Sequence, residues 1–310
     1  MKGVILAAGK GSRLYPVTRA IAKPLLPLAN RMTMAYAFDQ LKACGITEIA
    51  IVVGENEPEM RATLGDGAAF GVHLSFVRQP EPLGLAHAVS FCKDFVDGDS
   101  FVLYLGDAIY GQSLAPIVQS FVDEPCANLN LVKEVEDPRR FGVANVVDGR
   151  IVKLVEKPQN PESNLAMAGM YVFGPQIWSV FADLKPSARG EYEITDAIQM
   201  LIDRGEVVRA GVYEGEWFDT GTLPSFLETS RFLAGSVAKI GEGATVEAEV
   251  GEYVVIGDGA TVRATRLENC VILPGAHVET TGEIRGSLLG GNIQTEGDLV
   301  DTIRHGDLTE

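Results

Sequence analysis

The first apolar run of the chain ends in LAAGKGSRLYP, residues 6–16, where Gly9 and Gly11 sit two apart. A glycine-rich turn after a strand lets backbone N–H groups come close to phosphate oxygens and point at them. Two familiar phosphate loops do not fit. Gly-Lys-Ser/Thr is missing, so this is not a Walker A loop, and Leu14 stands where a dinucleotide fingerprint needs its third glycine. The continuation GSRLYPVTRAIAKPLLPL is more specific, because it sets Arg13 and Lys23 around the loop with prolines between and after them. Two cations framing a glycine turn suit a polyphosphate; a structural turn with two surface cations is the alternative.

The charge balance sharpens that chemistry. The chain has 310 residues and a formal net charge of −16, which speaks against nucleic acid or an anionic membrane as partner. A polyphosphate would be repelled by the overall field, so a few cations must gather locally to reverse its sign. No apolar run approaches the roughly 18 residues that span a bilayer. The opening MKGVILAAGKGS runs straight into motif residues and leaves no signal-peptide core, so the expected location is the cytoplasm. Cys44, Cys92, Cys126 and Cys270 are widely spaced, which predicts free and mostly buried thiols.

The elements that must position these groups change character along the chain. Strand-like runs at 4–8, 49–54, 74–77, 101–105, 129–135 and 167–173 alternate with amphipathic stretches such as MTMAYAFDQLKACG, GLAHAVSFCKDF and LAPIVQSFVDE. This alternation predicts an α/β domain, a Rossmann-like, mostly parallel sheet flanked by helices, whose ligands sit beyond the carboxyl ends of the strands. From Lys239 onward helical patterning stops. IGEGATV, IGDGATV, ILPGAHV and the degenerate LLGGNIQ start at Ile240, Ile256, Ile272 and Leu288, 16 residues apart, with Gly243, Gly259, Gly275 and Gly291 at the fourth place. Val246, Val262 and Val278 recur within the first three units. Such a period predicts a small C-terminal left-handed parallel β-helix of hexapeptide-repeat type. The expected domains are therefore 1–235 and 236–310.

The N-terminal segment resembles the signature of the sugar-nucleotide pyrophosphorylase (nucleotidyltransferase) family, L-A-x-G-x-G-[ST]-R-L-x-P followed by K-P-x-x-P. RQPEPLGLAHAV, YLGD, FGVANV, VEKP, AGMYVF, SARGEYEITDAI and WFDTGT match the family in order across essentially the whole chain. The subgroup it is most similar to is the long-type glucose-1-phosphate thymidylyltransferases, which carry a hexapeptide-repeat tail. The resemblance implies transfer of a nucleotidyl group from a nucleoside triphosphate, dTTP before UTP, to a hexose 1-phosphate such as glucose 1-phosphate. It implies Mg²⁺ held by Asp107 and Asp219, a hard-oxygen pair of the kind that ion prefers. It places Leu6, Gly9 and Gly11 at the nucleotide, Lys23 on the triphosphate and Arg13 on the departing pyrophosphate. Gln79 and Gly84 correspond to its base-reading pair, and a glutamine amide can both donate to and accept from a pyrimidine edge. Glu156 would accept from sugar hydroxyls, Lys157 would hold the sugar phosphate, and Gly142 and Gly169 would give backbone contacts to the hexose.

The inventory favours direct displacement. No cysteine has a placed base and no Ser-His-Asp order stands out, so catalysis falls to positioning and charge neutralisation. Three departures from the family remain. Gly106-Asp107-Ala108 replaces G-D-N, Pro24 follows Lys23 where thymidylyltransferases often carry glutamine, and NRMTMAYAF replaces an Asn/Asp-Lys-Pro-Met segment. They leave the hexose and the base open. His87 stands in place of the glutamine of GLAQA and reads as a satisfied helical histidine. Two rival functions are a regulatory or scaffolding homologue and a bifunctional enzyme with an acyltransferase tail, for which only His277 and His305 are candidates. A tail that mediates homo-oligomer contacts is the preferred reading.

Overall fold

The computed structural model describes residues 1–308. By packing, the chain divides into two compact units: Met1–Gly9 with Ala37–Trp217, and Lys10–Tyr36 with the chain from Phe218 onward. This grouping differs in kind from the change of sequence pattern near 235, because it takes the segment after Gly9 together with the C-terminal strands.

The first unit is built on a nine-stranded sheet. Its strands are β1 (Lys2–Leu6), β2 (Glu48–Val53), β3 (His73–Arg78), β4 (Phe101–Leu105), β5 (Asn128–Glu134), β6 (Gly142–Val147), β7 (Arg150–Glu156), β8 (Leu165–Phe173) and β9 (Val208–Val212), in the order β3-β2-β1-β4-β8-β5-β9-β7-β6. In β1, β2 and β4, Val4, Ile5, Ile49, Ala50, Ile51, Val52, Phe101 and Leu103 are all fully buried. Near-continuous apolar runs of this kind belong to strands covered on both faces, and β3, β2, β1 and β4 are indeed parallel neighbours.

The second half of the sheet corrects the expectation of a mostly parallel one. β8 runs antiparallel to both β4 and β5, and β7 antiparallel to β6 and β9; only β5–β9 is parallel. For β6 and β7 the reason is connection length. β6 and β7 are joined by Asp148 and Gly149, at φ 49 and 74, a two-residue hairpin turn with no room for a crossover. The Asp-Gly pair was present in VVDGRIV as a hairpin signal. β6, β7 and β9 fall outside the apolar runs read from the sequence because their exposed positions, such as Val147, Val152 and Val212, blur the burial pattern.

In the second unit, short strands stack in parallel, at the 16-residue period through the first three repeats; in the fourth, Leu289 rather than Leu288 pairs with Ile272, and Ile293 follows Val278 by 15 residues. Val246, Val262, Val278 and Ile293 align in one ladder, and Ile240, Ile256, Ile272 and Leu289 in another. The four repeat glycines have φ between 65 and 69, a left-handed conformation that residues with a Cβ avoid, which is why glycine recurs there. Val254, Ile256, Val262, Cys270, Ile272 and Val278 form the core of this stack. The helix Leu223–Ala234 precedes it, opened by a capping box between Thr222 and Ser225. All four cysteines are free, and burial pushes the Cys92 and Cys270 thiols up to about 12.

Candidate active site

At the carboxyl end of the central strands, the Leu6 carbonyl accepts from the Gly106 N–H at 3.0 Å. That bond ties the end of β1 to the turn after β4, which presents Asp107. A Cβ on Gly106 would lie 2.8 Å from the Leu6 oxygen, so the close approach depends on glycine. Ala108 is buried, and its Cβ lies 3.5 Å from the point where Gly169 would carry one. The departure from G-D-N thus faces a residue expected to contact the hexose. Gly169 itself, at φ 78, sits where the register of β8 against β5 shifts between Met167 and Tyr171.

A second group lies at the end of β3. Gln79 is 7% exposed, and its Nε2 donates to the Gly84 carbonyl at 3.2 Å and meets His87 Nδ1 at 3.1 Å. Gly84 has φ 110, and a Cβ there would meet the Tyr192 carbonyl oxygen at 2.5 Å and nitrogen at 2.7 Å. Its glycine is therefore demanded by the Tyr192 backbone, whose N–H donates to Leu83 and whose carbonyl accepts from Ala86. His87 also stacks on the Tyr192 ring and meets Phe91 edge-on.

The third group surrounds Glu156, the last residue of β7. Its Oε2 accepts from Thr195 Oγ1 at 2.6 Å, and its Oε1 lies 3.5 Å from Lys157 Nζ and 3.8 Å from Arg189 Nη2. Gly142 leaves room for this pair: a Cβ would meet Met167 Sδ at 2.7 Å, Thr195 Oγ1 at 3.0 Å and Glu156 Oε2 at 3.3 Å. Lys157 adopts φ 43, uncommon for a residue with a side chain, and its N–H donates to Phe141. Its side chain lines a cavity of about 450 Å³ with Asp137, Arg139, Arg140, Pro158 and Gln159. Arg189 is held by Glu193 at 2.9 Å and Glu191 at 3.1 Å. Burial, and then repulsion from Glu156, holds the carboxyls of Glu193 and Asp196 above their usual range. A hydroxyl acceptor beside two cations suits a molecule with hydroxyls at one end and a phosphate at the other.

In the second unit, Gly11 at φ 64 presses on the stem of Lys23, to which a Cβ would come within 3.1 Å. Thr18 Oγ1 donates to the Gly11 carbonyl at 2.7 Å and braces the turn. Arg13 and Asp219 converge on Gly221, where a Cβ would collide with the guanidinium and lie 2.9 Å from the carboxylate. In NRMTMAYAF the residues that depart from the family, Arg31-Met32-Thr33 after Asn30, have no structural explanation, whereas Asn30 itself has a place. Asn30, at φ 62, forms a tight turn between the strands Pro27–Leu28 and Arg31–Met32. Its amide donates to the Ile256 carbonyl at 2.8 Å, so it anchors the lysine-bearing segment on the parallel strands.

The family model for nucleotidyl transferases matches residues 2–236. The chain belongs to the nucleotidyl transferase family. It is 43% identical over 257 residues to a low-salt glycan biosynthesis nucleotidyltransferase of Haloferax volcanii, covering 81% of this chain and 72% of that one. It is 44% identical over 235 residues to the glucose-1-phosphate thymidylyltransferase of Streptomyces griseus, covering 75% of this chain and 66% of that one. Among solved structures, a Bacillus anthracis protein in complex with sucrose is similar at TM-score 0.70 and 39% identity, over 76% of this chain and 96% of that one. A UDP-glucose pyrophosphorylase complexed with UDP-glucose is similar at TM-score 0.68 and 26% identity, over 75% and 97%. The chain is thus a nucleotidyltransferase enzyme with the mixed α/β fold of these relatives.

Two side chains of this nucleotidyltransferase were given no role from the sequence. Arg189 and Thr195 both engage Glu156, and both come from SARGEYEITDAI, a stretch matched to the family without a function. The same stretch carries Tyr192 against Gly84. One continuous segment therefore braces the Gln79 group and the Glu156 group together. No helix among the described residues is long and apolar enough to cross a membrane.

Proposed function

We propose that this nucleotidyltransferase moves a nucleotidyl group from a nucleoside triphosphate, dTTP before UTP, onto a hexose 1-phosphate, glucose 1-phosphate first, with release of pyrophosphate. The observation that carries the reading is the Glu156 group, a buried-edge carboxylate flanked by Lys157 and Arg189. Relatives named for thymidylyl transfer to glucose 1-phosphate favour dTTP, and the likeness to a UDP-glucose pyrophosphorylase keeps UTP second.

In this mechanism Lys157 and Arg189 bind the sugar phosphate, Glu156 accepts from a sugar hydroxyl, and Gly142 and Gly169 let the hexose approach the backbone. Gln79 and Gly84 read the base, and Leu6, Gly9 and Gly11 line the nucleotide. A phosphate oxygen, already ionised at neutral pH, attacks the α-phosphorus. The new P–O bond forms as the bond to the β-phosphate breaks in line, so no general base is required. Lys23 neutralises the triphosphate, and Arg13 stabilises the departing pyrophosphate. Asp107 and Asp219 would hold Mg²⁺, which supplies charge neutralisation when bound. Two carboxylates with substrate phosphates are a donor set which that ion ordinarily takes.

The C-terminal strands are read as a left-handed parallel β-helix that mediates contacts in a homo-oligomer, following a catalytic domain of residues 1–235, in a cytoplasmic enzyme. The 16-residue register supports the first part of this. The test is a pyrophosphate-release matrix of four triphosphates against several hexose 1-phosphates, with Mg²⁺ and with chelator. Release is expected to be greatest with dTTP and glucose 1-phosphate, and lost with chelator. No release from any pair overturns the reading.

A further inference from the structure

The arrangement of hydrogen bonds around Gln79 says more than that it meets a base. A carbonyl oxygen can only accept, so the side-chain atom facing the Gly84 carbonyl at 3.2 Å must be the amide nitrogen. The same nitrogen lies 3.1 Å from His87 Nδ1, which must then be the accepting ring nitrogen, with the proton on Nε2. Both hydrogens of the Gln79 amide are committed. Its oxygen has no partner among the described residues and is not one of the fully buried orphan atoms, so it remains available to a ligand.

His87 is itself held in place. Its ring stacks on Tyr192 with centroids 6.0 Å apart and meets Phe91 edge-on at 4.9 Å. Its helix, Leu85–Ser90, is pinned where the Ala86 N–H donates to the Tyr192 carbonyl. Rotating the Gln79 amide by half a turn would break two hydrogen bonds. It would also set its oxygen against the Gly84 carbonyl, and His87 could meet that oxygen only by carrying its proton on Nδ1 instead.

We infer that His87 is a positioning residue for base selection: by accepting from Gln79 it locks the amide with its oxygen outward, so that the site takes a pyrimidine with a ring N–H and rejects cytosine. This rests on the reading of Gln79 as a base contact. Uracil and thymine present N3–H to that oxygen; in the same pose cytosine presents the N3 lone pair, and it must shift along its edge to offer its 4-amino group instead. Because the imide edge is common to uracil and thymine, Gln79 excludes CTP without separating dTTP from UTP. With no amide hydrogen to spare, the adjacent base carbonyl must be met by another group.

The test uses the full chain and equilibrium binding of UTP and CTP with Mg²⁺ and no sugar phosphate, in the parent, His87→Leu and His87→Asn. Leucine keeps the packing on Tyr192 and Phe91 but accepts no hydrogen bond; asparagine restores an acceptor oxygen. The parent should prefer UTP over CTP. The ratio of dissociation constants should shrink about tenfold in the leucine variant, the scale of one hydrogen bond, and recover in the asparagine variant. A ratio unchanged in His87→Leu at a matched thermal midpoint overturns the inference, as does loss of discrimination in both variants. Pyrophosphate release is assayed on the same preparations. Its absence alongside the expected binding ratios would overturn the proposed reaction and leave the role of His87 standing. Failure of any nucleotide to bind overturns both.

Discussion

The nine-stranded sheet and the C-terminal parallel strands both bury aliphatic ladders, yet they handle polar groups in opposite ways. In the C-terminal stack the first three repeat units keep a 16-residue register, and the core is Val254, Ile256, Ile272, Val278 and their like, with charged pairs such as Arg263–Glu247 and Arg285–Glu283 on the surface. In the sheet, regularity is broken where chemistry is placed. β8 shifts register beside Gly169, Lys157 turns to φ 43 after β7, and Gly84 turns to φ 110 against Tyr192. A near-regular repeat gives successive coils like surroundings, so its buried polar side chains are few, among them Thr280 and Ser287. Irregular strand ends give each side chain its own surroundings.

This contrast can be broken by substitution, with the largest effects expected where the sheet ends. Asp107→Asn and Lys23→Ala should each lower kcat by at least about a hundredfold with little change in unfolding midpoint. Near-normal turnover in either would refute the roles given them. Lys157→Ala should raise KM for the sugar 1-phosphate by about tenfold or more while leaving KM for the triphosphate nearly unchanged. An equal rise in both would place this lysine elsewhere. In the stack the signs reverse. Ile272→Ala should cost about 2–5 kcal/mol in chemical denaturation, while kcat per folded molecule stays within about twofold. Asn30→Ala, which removes the bond to Ile256, should cost about 1 kcal/mol. If it lowers kcat as well, the stack positions the loop that carries Lys23. The smallest effect belongs to Arg285→Ala, whose exposed pair with Glu283 should contribute less than about 1 kcal/mol. A larger loss would mean that the surface rungs matter as much as the buried ladder.

Much of this division could be read in advance. The apolar runs at 101–105 and 167–173 fall in β4 and β8, and the 16-residue spacing reappears as strand register. Period and burial are local properties of the chain, so pattern reading reaches them. The β6–β7 hairpin was missed because exposed residues interrupt its buried ones, most of all in β7, although Asp148-Gly149 marked its turn. Arg189 and Thr195 were missed because nothing local to SARGEYEIT points to Glu156, more than thirty residues earlier in the chain.

By itself the sequence determined the reaction class, through the family resemblance carried by the glycine turn, Arg13, Lys23 and the ordered motifs after them; residue chemistry alone reached only a phosphate site. It also determined the repeat, because periodicity is written directly in the order of residues. Only the tertiary structure decided which way the Gln79 amide faces, why position 84 must be glycine, and that Glu156 is shared by Thr195, Lys157 and Arg189. Those are matters of direction and distance between segments far apart in the chain. They are settled only when burial forces each hydrogen-bonding group to find its partner.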